Sequence, residues 1–333
     1  MPGLLHCADA RPRRDRQLDL AWCLRLPSPN VNGDALDRWI TAEKRLAFQD
    51  TLRPEHLADL YITLPTRDGT RASANARRTN SAATPAHGDP LGYGHHLVFF
   101  HPRNPESVLR PDGTDAELCP PEPFTRRMWA AGRMEWKRPL YVGDAVNALS
   151  SVDEVTKKGF DSGQHAPMVF VKQRIEYRRL TGNELCVTEE RVHVYLAIAG
   201  EKRAARKVAD LPAPEFQFEC IPSPTTLFRF SALTFNGHYI HLDKTYAQQF
   251  EGYPERLVHG PLTALMLLET AALRFPNRAF KTFDYRAVNP IVVNQPVRIC
   301  LGPEEGGRVQ AWAEVGVDQP VVGMVGAITL ADV

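Results

Sequence analysis

Three histidines stand close together in the last third of the 333-residue chain. His238 and His241 lie in Ala232-Leu-Thr-Phe-Asn-Gly-His-Tyr-Ile-His-Leu-Asp243, and His259 immediately precedes Gly260-Pro261. Imidazole titrates at about pH 6.5 when unperturbed, so histidine suits proton transfer near neutrality. Asn236, five residues before His241, carries an amide that does not titrate. It can orient water or substrate, or simply make the turn that Asn-Gly favours. Gly260-Pro261 has the form of a helix start: proline suits the first turn, free N–H groups there face an incoming anion, and glycine lets a ligand come close. The histidines could also gather a metal, but no cysteine or carboxylate stands at a fixed spacing to complete a ligand set. A site without metal or resident cofactor is expected. Each residue has a structural alternative as well. His241 could pack or cap, His259 could be a structural hydrogen-bonding residue, and Asp243 reads as the N-cap of a helix from Lys244.

Those residues need a scaffold, and the length suggests two domains. The expected boundaries are a basic tail over 1–30, a first domain over 31–197, a linker over 198–224 and a second domain over 225–333. The stretch 64–93 has few bulky apolar residues and reads as a long loop inside the first domain. Polar-apolar spacing over 34–51 suits helices, with Asp34 as a cap. Leu97-Val-Phe-Phe-His101 reads as a short strand, and the proline-rich 102–123 as loop. Strands are expected over 126–136, where Gly132 permits a bend, after the turn Pro139–Asp144, and over 168–177 and 189–196. In 168–177, Val169, Val171, Ile175 and Tyr177 share a face. In 189–196, Val192, Val194 and Leu196 oppose Arg191, His193 and Tyr195. The second domain should hold a strand near 226–230, helices from Asp243 and Gly260, and strands near 282–288, 296–301, 309–315 and 321–329. One long apolar helix against an antiparallel sheet is an α+β layer arrangement.

Net charge is +1, which gives no overall pull toward nucleic acid or a membrane surface. No stretch approaches the roughly 20 apolar residues of a membrane span. Six cysteines without Cys-x-x-Cys spacing fit reduced thiols in an intracellular protein. Arg11, Arg13, Arg14 and Arg16 leave two readings of the tail, a mitochondrial presequence or a disordered basic segment of a cytoplasmic protein.

The run Leu227–Asp243, followed by Glu251-Gly-Tyr-Pro254 and Leu257-Val-His-Gly-Pro-Leu262, resembles the MaoC-like hydratases. Pro120-Pro-Glu-Pro-Phe-Thr-Arg-Arg-Met-Trp-Ala-Ala-Gly-Arg-Met-Glu-Trp136 and Pro139-Leu-Tyr-Val-Gly-Asp144 resemble the branch of hydroxyacyl-thioester dehydratases type 2 and mesaconyl- or itaconyl-CoA hydratases. The resemblance implies a double hotdog, two antiparallel sheets each wrapped around a long helix. It implies a hydro-lyase acting on an acyl-CoA or acyl-carrier-protein thioester, with homodimerisation left open. The family motif Asp-x-Asn-Pro-x-His has an acidic residue five before its histidine; here that place holds Asn236, with His238 and Tyr239 at the Asn and Pro places. On this reading His241 is the acid/base and Asn236 orients water. The Gly260 N–H holds the thioester oxygen, and His238, His259 and Arg286 line the substrate cleft. Arg126, Arg127 and Arg133 could meet coenzyme A phosphates, but the preferred reading is that they are solvated or paired to Glu122 and Glu135. A catalytically silent thioester-binding protein and a hotdog thioesterase using Glu269 are the alternatives.

Overall fold

Period-two burial along successive segments builds a sheet that runs through both halves of the chain. The computed structural model describes residues 33–68, 85–160, 166–197, 205–316 and 319–331. The basic tail, the middle of the 64–93 stretch and the start of the linker lie outside these residues. The first half holds α1 (Gly33–Thr41), β1 (Arg45–Thr51), α2 (Pro54–Tyr61), β2 (Arg126–Trp136), β3 (Ala145–Lys158), β4 (Met168–Arg179) and β5 (Glu184–Leu196). The second holds β6 (Phe216–Cys220), α3 (Pro224–Leu233), α4 (Tyr239–Leu242), α5 (Lys244–Gln249), α6 (Gly260–Arg274), β7 (Phe280–Ala287), β8 (Val297–Glu305), β9 (Arg308–Val315) and β10 (Val321–Leu330).

The ten strands among the described residues form one sheet in the order β1-β3-β4-β5-β2-β7-β10-β9-β8-β6. The halves join where β2 pairs antiparallel with β7, from Ala131 opposite Arg286 to Glu135 opposite Thr282. This is the expected α+β double hotdog. The 15-residue α6 lies on the second half, with Leu262 through Ala271 all buried. Among the described residues the first half has no helix of that length. There the inner face of β3 and β4 is packed by α2 and by the 3-10 turn His95–Val98, through Leu57, Leu60, Leu97 and Val98 against Val146, Ile175 and Tyr177.

Several local expectations change. Residues 45–51 alternate as β1 on the edge of β3 rather than continuing a helix, because β3 offers them a ladder. Leu97–His101 is not a strand; Gly94 takes a left-handed φ of 82° and starts the 3-10 turn. The segment expected as a strand near 226–230 is helix α3. Ser223 caps it by accepting from the Thr226 N–H, the Thr226 hydroxyl accepts from the Ser223 N–H, and Pro224 occupies the first turn. The stretch read as linker contains β6, which pairs with β8. Asp243 does cap α5, accepting from the Tyr246 N–H at 3.0 Å.

Candidate active site

A short loop-and-helix segment carries the histidines to the sheet junction. After α3 the chain turns at Phe235, whose φ is 48°. The Asn236 N–H donates to Ser231 O at 2.8 Å, and Asn236 Oδ1 accepts from the His238 N–H at 3.1 Å. That turn launches α4, which buries Ile240 and His241. Asn236 Oδ1 therefore already accepts one backbone hydrogen bond, as the turn reading of Asn-Gly expects, and Nδ2 brings two donors that can meet water.

His241 Nδ1–H donates to Leu257 O at 2.8 Å. A carbonyl can only accept, so this bond fixes the proton on Nδ1 and leaves Nε2 with the lone pair. The ring stacks on His259, with centroids 3.6 Å apart and planes 20° from parallel. His259 Nε2 in turn shares a hydrogen bond with Ser231 Oγ at 2.9 Å. His238 meets His241 edge to face at 5.5 Å. Burial pushes the His241 imidazole down to about 4, only partly opposed by the Leu257 carbonyl, and Arg127 lowers it further. Burial and neighbouring histidines push His238 and His259 well below the usual range, Arg127 and Arg110 adding to the effect on His238. All three rings are thus neutral at physiological pH.

Gly260 begins α6, with His259 as N-cap and Pro261 in the first turn. A Cβ at position 260 would lie 3.0 Å from Cβ and Cγ of Trp129, so glycine is what lets the helix start approach β2. Asn236, His238, His241, His259 and Gly260 all line one cavity of about 830 Å³. Its other wall belongs to the first half and includes Arg127, Trp129 and His193.

Arg286 is the predicted site residue that the structure does not bring there. It is exposed and absent from the lining, because β7 alternates: Phe283 and Tyr285 point into the core, and Arg286 points to the opposite face. Arg133 pairs with Asp284 through two contacts of 2.7 Å on a half-exposed surface. Arg126 pairs with Glu251 and also donates to Glu251 O at 3.0 Å. Neither uses Glu122 or Glu135 as expected. Glu269 is buried within α6, accepting from Arg67 Nη2 at 2.9 Å and contacting His95 Nε2 at 2.8 Å. Those partners hold its carboxyl far below the usual range against the cost of burial, and it does not line the cavity.

Trp129 and His193 were missed in the sequence, as was the approach of Asp112, whose Oδ2 lies 3.7 Å from His238 Nε2. Trp129 and His193 meet edge to face at 5.4 Å because β2 and β5 pair in that register. Asp112 sits in the proline-rich stretch 102–123, where nothing local marks it. Among the described residues no group of three or more histidine, cysteine, aspartate and glutamate side chains is arranged to hold a metal, and no helix is long and apolar enough to cross a membrane.

The profile of the hydroxyacyl-thioester dehydratase type 2 family matches residues 94–293. A mesaconyl-C(4)-CoA hydratase of Chloroflexus aurantiacus is 35% identical over 236 residues, covering 70% of this chain and 82% of that protein. A mitochondrial hydroxyacyl-thioester dehydratase type 2 of Schizosaccharomyces pombe is 31% identical over 233 residues, covering 62% of this chain and 76% of the other. Among solved structures, a MaoC-like dehydratase of Phytophthora capsici shares the fold with a TM-score of 0.61 at 15% identity, over 91% of this chain and 100% of that one. The matched residues run from Gly94, at the head of the 3-10 turn that carries His95, through the histidine cluster to the loop between β7 and β8, and the chain belongs to the hydroxyacyl-thioester dehydratase type 2 family.

Proposed function

We propose that the chain adds water across the α,β double bond of an acyl thioester, or removes it from a 3-hydroxyacyl thioester, with His241 as the acid/base. The observation that carries this is the His241–Leu257 hydrogen bond, which presents a neutral Nε2 lone pair on the wall of a cavity large enough for an acyl group. In hydration, Nε2 takes a proton from water as the water oxygen bonds to Cβ. The double-bond electrons move onto the thioester oxygen, where the free N–H of Gly260 at the helix start stabilises them. The same proton then returns from Nε2 to Cα, so one water is consumed and the imidazole is restored. Asn236 Nδ2 is assigned to holding the water, since Oδ1 is engaged. His238 and His259 form the wall beside the reacting carbons. No metal or resident cofactor enters the scheme.

The named relatives, a mesaconyl-C(4)-CoA hydratase and a hydroxyacyl-thioester dehydratase type 2, support the hydro-lyase reading. We take the carrier to be coenzyme A or an acyl-carrier protein, and the mitochondrion to be the compartment, by analogy with the fission-yeast relative. The thioesterase reading loses its nucleophile or base candidate, because Glu269 is spent in its ion pair. The test is a panel of enoyl-CoA thioesters, crotonyl, mesaconyl and itaconyl included. Loss of enoyl absorbance without thiol release is the expected result. Thiol release at the same rate would replace hydration with hydrolysis.

A further inference from the structure

The turn that carries His238 is met by a loop from the first half of the chain. That loop closes on itself, with the Arg110 N–H donating to Thr114 O at 2.8 Å and the Gly113 N–H to Arg110 O at 2.9 Å. Its tip is seated on the histidine turn: the Tyr239 N–H donates to Asp112 O at 2.9 Å. A Cβ on Gly113 would lie 2.3 Å from Gly237 O, and one on Gly237 would lie 2.8 Å from Gly113 O. Both glycines are what allow the two backbones to touch.

This seating buries a carboxylate. Asp112 is 8% exposed. Its Oδ1 accepts from the Thr114 N–H at 3.0 Å and the Thr114 hydroxyl at 2.7 Å. Its Oδ2 is left facing His238 Nε2 at 3.7 Å. A buried carboxylate is retained only with partners, and here the partner offered to Oδ2 is an imidazole beside His241. Asn236 occupies the place where the related motif carries its acid, so the turn itself supplies no carboxylate.

Resting on the hydro-lyase reading, we propose that Asp112, just outside the cavity lining, is a positioning residue of this active site that acts through His238. It holds the His238 proton on Nε2 and so leaves the Nδ1 lone pair to accept the second hydrogen of the water that His241 activates. With one hydrogen directed to each ring, the water keeps a lone pair for Cβ. Asp112 exchanges no proton with substrate; its charge strengthens His238 as an acceptor and fixes its tautomer, as carboxylate partners of histidine do elsewhere.

Asp112→Asn tests this with little disturbance, because the amide keeps an oxygen for Thr114 and the backbone bond to Tyr239 is untouched. The expected result is a fall in kcat of about ten- to a hundredfold, the usual scale for such outer partners, with KM and melting temperature close to wild type. An unchanged kcat, or a loss confined to KM or accompanied by a lower melting temperature, overturns the proposal. The second measurement is ¹⁵N NMR of the His238 ring in the full-length protein. Protonation at Nε2 in the wild type, lost in Asp112→Asn, is expected; protonation at Nδ1 in the wild type overturns the proposal. If the wild type turns over no enoyl thioester, the hydro-lyase reading fails on its own, while the His238 tautomer still decides whether Asp112 holds it.

Discussion

At the scale of single residues, the proposed chemistry turns on which nitrogen of His241 holds the proton. His241→Ala should lower kcat by at least about a hundredfold, the usual scale for losing a general acid/base, in a protein that still folds by circular dichroism. Turnover near that of wild type would remove His241 from the mechanism. Asn236 separates two roles. Asn236→Asp keeps an oxygen for the His238 N–H and should keep both the fold and substantial activity. Asn236→Leu deletes the turn bond of 3.1 Å as well as Nδ2. Its melting temperature and its kcat per folded site should both fall, and full specific activity in the folded fraction would leave Asn236 a turn former only. That His241, His259 and Gly260 share one cavity wall was legible in the sequence, because they belong to one stretch whose local chemistry is its signal. Asp112 was not, because it reaches His238 across more than a hundred residues. Arg286 was misassigned because a positive charge near a cleft says nothing about which face of a strand it occupies.

At the scale of elements, the sequence said least where a strand turns a polar face inward. In β5, alternation separates Val192, Val194 and Leu196 from Arg191, His193 and Tyr195 without ranking the two faces. Cross-strand pairing instead sets Glu189, Arg191, His193 and Tyr195 beside Ile175, Gln173, Val171 and Val169, whose side is the buried one. The polar face is tolerated because it is satisfied: Arg191 holds Glu189 through contacts of 2.8 and 2.9 Å, and the Tyr177 hydroxyl donates to Glu189 at 2.8 Å. Alternation identifies two faces and cannot rank them when the inner one carries paired charge. The same layer explains Gly132. A Cβ there would lie 2.2 Å from the Tyr285 hydroxyl and 2.6 Å from Glu190 O. Gly132→Ala should cost about 1–3 kcal/mol, the range for overpacking, read as a lower urea midpoint. Stability equal to wild type would mean that Tyr285 and β5 move aside freely. The long helix and the four strands after it were legible, since α6 is apolar nearly all round and β7–β10 follow short punctuated runs.

At the scale of the whole molecule, one sheet passes through both halves and the cavity has a wall from each. A fragment of residues 214–333 would bare the edge of β7 where β2 now pairs, and would lose Trp129 and His193 from the cavity. It should be insoluble or inactive; a soluble, fully active fragment would make the first half an accessory. Acid should also act on the whole fold. His241 has a folded value near 4 against an unfolded 6.5, and His193, His238 and His259 are lowered in the same direction. The unfolded chain therefore binds more protons than the folded one as pH falls from about 6.5 toward 4, and stability drops across that window. Glu189, held near 2 against the cost of burial by Arg191 and His96, extends the loss below 4.5. Melting temperature measured from pH 8 to 4 should decline from about 6.5 downward. A flat profile would mean these rings are hydrated in solution.

The two buried glutamates are reached from a single point. His95 Nε2 lies 2.8 Å from Glu269 in α6, and His96 Nε2 lies 3.5 Å from Glu189 in β5. The rings come from consecutive residues of one 3-10 turn, and they grip elements on either side of the β2–β7 seam. The turn works as a rivet, so the halves should melt together, in one calorimetric transition whose van't Hoff and calorimetric enthalpies agree. Replacing His95 by phenylalanine would draw the rivet from one side and let the first half loosen before the second.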